Sequence, residues 1–149
     1  NLLFLRFPNE NVYITLVLYL FLMIQQLSAL FMTPSQRVRQ EIKRLQLHVE
    51  EKPLGKNQYL SLYHDYQALS PADRQRVLLS LTQLRERMED QLIAEKRIEE
   101  LLHSSPKTMK QQCQRYTLMH AHFTKLSRSK QKEYYSSLIN LRRELERGR

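Results

Sequence analysis

Glycine is almost missing from this chain of 149 residues, which carries Gly55 and Gly148 and no other. Sheet proteins use glycine in hairpin turns, and phosphate-binding loops need it where backbone meets ligand. Both architectures are therefore excluded as good readings. Cysteine is equally scarce. Cys113 stands alone, so an internal disulfide and a multi-thiolate zinc site are ruled out. Tryptophan is absent, and most of the aromatic residues are tyrosines. No glycine-rich phosphate loop, nucleophile elbow or zinc-protease helix occurs. The expectation is a protein that is not an enzyme and that holds no cofactor and no metal.

What remains is dominated by Leu, Gln, Glu, Lys and Arg, all good helix formers. The formal charge of +9 favours anionic partners, whether lipid headgroups, nucleic acid or acidic protein.

Between Asn11 and Gln36 there is no charged residue, and Val12 to Ile24 is nearly all apolar. After Gln25-Gln26 the apolar run resumes from Leu27 to Met32. A helix rises about 1.5 Å per residue, so roughly 20 residues match a hydrocarbon core of about 30 Å. Residues 1–32 are thus expected to be a single transmembrane anchor, with Tyr13 and Tyr19 near an interface. Arg37, Arg39, Lys43, Arg44 and Lys52 follow the run, and Arg6 alone precedes it closely. The excess of cations on that side predicts a cytoplasmic body and an outside N-terminus. Three other readings compete. Ser28-Ala29 suits a signal-peptide cleavage point, Gln25 and Gln26 suit a helix buried in protein, and a true start near Met32 would remove the segment.

The body, residues 33–149, reads as helix throughout. Thr33-Pro34-Ser35-Gln36 has the residues of a capping box with proline in the first turn. Val38, Ile42, Leu45 and Val49 then recur at helical spacing, giving a juxtamembrane helix over 33–52 that ends before Pro53-Leu54-Gly55. A second helix carries Tyr59, Leu62, Tyr66 and Leu69. Ser70-Pro71-Ala72-Asp73 stops it and starts a long helix whose stripe runs from Val77 to Leu102. Ser104-Ser105-Pro106 breaks the chain again. A helix with Cys113, Tyr116, Met119 and Phe123 follows, then one from Ser127 with Tyr134, Leu138, Leu141 and Leu145.

The body also repeats itself. A shift of 57 residues lays Tyr59–Glu89 on Tyr116–Glu146 without a gap. It pairs Leu69 with Leu126, Ser70 with Ser127, Leu81 with Leu138 and Leu84 with Leu141. The fold class expected is all-α: one transmembrane helix, then a bundle of about five helices built from two repeated hairpins over 57–103 and 106–147. The pattern Tyr59-x-x-Leu62-Tyr63-x-x-Tyr66-x-x-Leu69-Ser70-Pro71-x-Asp73-Arg74, with the leucine stripe behind it, resembles hairpins of small uncharacterised archaeal membrane-associated helical proteins. The resemblance covers 59–90 and, less closely, 116–147. It implies membrane association and helix-mediated contacts, and carries no functional residue.

Few groups suggest chemistry. His120 and His122 are two apart and point in different directions on a helix. Glu100-x-x-His103 is half of a carboxylate di-metal motif, but the second half is lacking. Binding residues are more readily named. Arg37, Arg39, Lys43, Arg44, Arg128, Lys130, Lys132, Arg142 and Arg143 are expected to meet anionic lipid or a nucleic-acid backbone. Tyr59, Tyr63, Leu84, Met88 and Leu92 are expected to meet a partner helix or a second copy. The function expected is a membrane-anchored protein–protein interaction or scaffold module on the cytoplasmic face. The alternative is a soluble, basic, nucleic-acid-binding protein beginning near Met32.

Overall fold

A computed structural model describes residues 10–148, apart from the side chains of 10–12 and 28–30. Residues 1–9 lie outside the described residues, and with them the Arg6 flank of the expected anchor. The described chain is all helix: α1 (Glu10–Leu30), α2 (Pro34–Glu51), α3 (Lys56–Gln67), α4 (Pro71–His103), α5 (Met109–Phe123) and α6 (Arg128–Arg147).

The helix ends follow from side-chain chemistry. At α2 the Gln36 backbone N–H donates to Thr33 Oγ1 at 3.3 Å, and the Thr33 N–H donates to Gln36 Oε1 at 2.9 Å. This reciprocal cap satisfies two donors that the first turn leaves over. Thr108 and Gln111 repeat it at α5. At α4, Ser70 Oγ accepts from the Asp73 N–H at 3.2 Å, and Pro71 takes the first position. Ser127 heads α6 without a side-chain cap bond. At the other end of α4 the Arg115 fork closes the last turn, with Nε 2.7 Å from Leu101 O and Nη2 2.9 Å from Leu102 O.

Two apolar clusters form the core. The first joins Val38, Ile42, Leu45 and Val49 of α2 to Leu62 and Tyr66 of α3, Leu69 of the turn, and Val77, Leu81 and Leu84 of α4. The second joins Ala94 and Ile98 of α4 to Met119 of α5, Leu126 of the turn, and Tyr134, Leu138 and Leu141 of α6. The 33-residue α4, about 50 Å long, belongs to both. Its first half completes one three-helix unit, and its second half begins the next.

The sequence repeat is therefore a structural one. Leu62 and Met119, Leu69 and Leu126, Val77 and Tyr134, Leu81 and Leu138, and Leu84 and Leu141 are buried at both members of each pair. The turns match as well: Leu69 N–H donates to Tyr66 O at 3.1 Å, and Leu126 N–H to Phe123 O at 3.2 Å. The repeat also extends further back than the hairpins. Ala94, Ile98 and Leu101 of α4 occupy the places of Val38, Ile42 and Leu45 of α2, at a shift of 56. The connection after α4 is one residue longer than that after α2, which accounts for the change from 56 to 57. The units still differ in packing. α3 rests mainly on α2, whereas α5 packs against both α4 and α6.

The first helix corrects an expectation. Among the described residues no helix is long and apolar enough to cross a membrane, so the transmembrane span is not borne out. The uninterrupted apolar run stops at Gln25-Gln26, and from Val12 to Ile24 it advances about 20 Å, short of a hydrocarbon core of about 30 Å. Yet the body does not bury α1 either. Every described side chain from 13 to 27 is exposed, including Leu16, Leu18, Leu20 and Leu22.

Candidate functional site

The seam where the two units meet on α4 is tied by polar contacts between segments distant in sequence. Gln91 is only 6% exposed, and its Nε2 donates to Val49 O at 2.7 Å, near the end of α2. Arg87 lies one turn earlier. Its Nε and Nη2 grip the two Glu50 oxygens at 2.7 and 2.8 Å, and its Nη1 donates to Lys125 O at 2.9 Å. One guanidinium thus ties α2, α4 and the α5–α6 turn together with the planar fork geometry that favours arginine. The Arg87 hydrogen bond holds the Glu50 carboxyl below the usual carboxylate range. Arg128 adds a second link, 2.7 Å from Glu51.

Further along, Lys130 Nζ sits between Glu95 at 2.6 Å and Glu133 at 2.9 Å, and 5.9 Å from the centre of the Tyr134 ring. Bonds to both carboxylates push its pKa up. Tyr134 is buried, and its hydroxyl donates to Glu99 at 3.3 Å. Burial first, then the charges of Glu95 and Glu99, push that hydroxyl up to about 12.

Beside these contacts lies a cleft of about 530 Å3. Leu54, Tyr59 and Leu60 of the first unit form one wall, Met88 and Leu92 of α4 the floor, and Leu126 of the α5–α6 turn the far side. Lys56, Arg85, Glu89, Glu95 and Lys130 supply its charged groups. The volume falls within the range of small-molecule sites, and the mostly apolar lining with a few polar groups is their usual composition.

The expected contact residues divide accordingly. Tyr59, Met88 and Leu92 meet at the cleft. Tyr63 is exposed on α3, its ring 6.3 Å from that of Tyr59. Leu84 is corrected: it is 0% exposed, packed in the first core and out of reach of any partner. The expected cations also divide. Arg44 is paired with Glu41, Arg128 with Glu51, Lys130 with Glu95 and Glu133, and Arg142 with Glu146 at 3.0 Å. Among the described residues Arg37, Arg39, Lys43, Lys132 and Arg143 have no ion pair, and all five are exposed. Arg37 and Arg44 lie seven apart on one flank of the buried α2 stripe, and Arg39 and Lys43 four apart on the other. They form a collar just after α1 rather than a single basic face.

Compared with known protein families, curated proteins and solved structures, the chain matches none. His103 Nδ1 lies 2.7 Å from Glu99 O, and among the described residues no group of three or more His, Cys, Asp or Glu side chains could hold a metal.

Gln91 and Arg87 are the residues that sequence reasoning missed. Gln91 did carry a signal, because it takes a place on the apolar stripe seven residues from both Leu84 and Ile98. Arg87 carried none, since its two partners, Glu50 and Lys125, come from segments distant in sequence.

Proposed function

We propose that the chain is a membrane-attached helical interaction scaffold, with α1 immersed in lipid and two fused three-helix units held at the surface. One observation carries this: the apolar side chains of α1 are exposed on every side. A helix that is apolar all round needs cover all round. A protein groove covers one face of a docked helix, whereas lipid covers them all. The collar of Arg37, Arg39, Lys43 and Arg44 supports the same conclusion. Cations on both flanks of α2 suit headgroups that surround a helix, at about 1 kcal/mol each. The cations of α6 speak less for a nucleic-acid partner, because Arg128, Lys130 and Arg142 are engaged with carboxylates of the chain itself.

Flotation tests this. Full-length protein mixed with vesicles of neutral and anionic lipid is expected to rise with them. It is expected to stay bound in about 1 M salt, where the screening length falls to roughly 3 Å. Release by salt alone, or failure to float, contradicts the proposal.

A further inference from the structure

The body keeps an apolar surface that its own packing does not close. Leu92 is 70% exposed and Leu60 is 49% exposed, and both line the seam cleft. Met88 and Tyr59 are partly buried against the first core and also line the cleft. Apolar groups gathered in one concavity between two units are an unfilled site rather than scattered surface leucines.

The charges around the cleft indicate what fills it. Arg85 is 3.5 Å from Glu89, and Lys130 is 2.6 Å from Glu95, so both carboxylates already face a cation. Lys56, at the first turn of α3, has no ion pair among the described residues. The lining thus has one positive charge left over beside an apolar floor. A ligand that completes it has a hydrocarbon part and one anionic end.

We propose that the seam cleft binds a single-chain anionic amphiphile of the fatty carboxylate class. The chain lies over Met88 and Leu92 against Leu60 and Leu126, and the carboxylate is paired with Lys56. The ligand touches both units, so its binding adds to the links made by Arg87 and Gln91 and stiffens α4 at the seam. This stands apart from the attachment of α1, because the cleft is built from body residues alone.

Three of the five methionines provide the test, since they report different environments. Met88 lines the cleft, Met119 is fully buried in the second core, and Met23 is exposed on α1. The full chain, labelled with carbon-13 at its methionine methyls and held in lipid nanodiscs, is titrated with stearate carrying a nitroxide on its chain. Met88 is expected to broaden to saturation, while Met119 stays sharp and Met23 reports the probe dissolved in lipid. Leu92→Asp replaces an exposed side chain, so the fold persists. It is expected to weaken the Met88 effect by roughly tenfold or more, through a carboxylate set against hydrocarbon, with Met23 unchanged. Lys56→Gln is expected to weaken it by about two- to fivefold for the carboxylate and not for the matching neutral alcohol. Three results overturn the proposal. Met88 stays sharp while Met23 broadens, or Leu92→Asp leaves Met88 as responsive as before, or Met88 shifts with protein concentration before any amphiphile is added. The last result assigns the cleft to a second copy of the chain.

Discussion

α1 and α4 are both rich in leucine, yet they sit in opposite environments. In α4 the apolar residues Val77, Leu81, Leu84, Ala94 and Ile98 follow one stripe and are buried, while the exposed sides carry most of its Arg and Glu residues together with Leu78, Leu79, Leu92 and Ile93. In α1 leucine, valine, isoleucine and phenylalanine occupy every side, and no described side chain is buried. The number of leucines does not decide which helix enters a core; their arrangement does. A stripe packs against neighbours and leaves a polar face for water. A helix without a polar face cannot be satisfied by one neighbour, and the body offers it none.

The contrast predicts that mutations in the two helices separate stability from attachment. The largest expected effect is in the shared helix. Leu84→Ala empties a fully closed site and is expected to cost about 2–5 kcal/mol in urea unfolding, with vesicle flotation retained. Leu18→Arg in α1 is expected to do the reverse, abolishing flotation while leaving the unfolding midpoint of the body in place. Loss of both properties in either variant would break the separation.

The seam comes next. Gln91→Ala leaves Val49 O without its donor and is expected to cost about 1–3 kcal/mol. Two equivalent serines then sharpen the comparison between the units. Ser70 caps α4 through Asp73, so Ser70→Ala is expected to cost about 1 kcal/mol, whereas Ser127→Ala, with no side-chain cap bond to lose, changes unfolding by only a few tenths.

The smallest effect is on pH. Arg87 lowers the Glu50 pKa in the folded state, so that stabilisation is fully present above the unfolded value of about 4.3 and is lost as pH falls through the folded value. Arg87→Met is expected to flatten the acid side of a stability–pH curve. At the alkaline end Tyr134 has its folded pKa raised to about 12. Its contribution is present below an unfolded value of about 10 and fades as pH rises through 12, which Tyr134→Phe removes.

Much of the body was legible in the sequence because its punctuation is local. The Thr33-Pro34-x-Gln36 cap, the Ser70-Pro71 restart and the Pro106 break each act within a turn of helix, and the bounds of α2 and α4 fall where they predict. The Tyr59-to-Tyr116 repeat was legible for the same reason, since apolar spacing survives changes of residue. Its first third was not. Ala94 in place of Val38 and a connection one residue longer hide the likeness of α2 to the end of α4. The seam escaped because Arg87 finds Glu50 and Lys125 across 37 and 38 residues of chain. The cleft was only partly visible: Tyr59, Met88 and Leu92 were singled out, but nothing local marks Leu126 as their neighbour.

The central claim is that α1 is covered on all sides by lipid. Spin labels attached in turn to cysteines at positions 16 through 22, in a Cys113→Ser background and with vesicles present, read it most directly. The account predicts high accessibility to molecular oxygen at every position, with no helical period. A 3.6-residue oscillation, with one face closed to oxygen and the other open to a water-soluble relaxant, would instead mean that α1 docks against protein along one side.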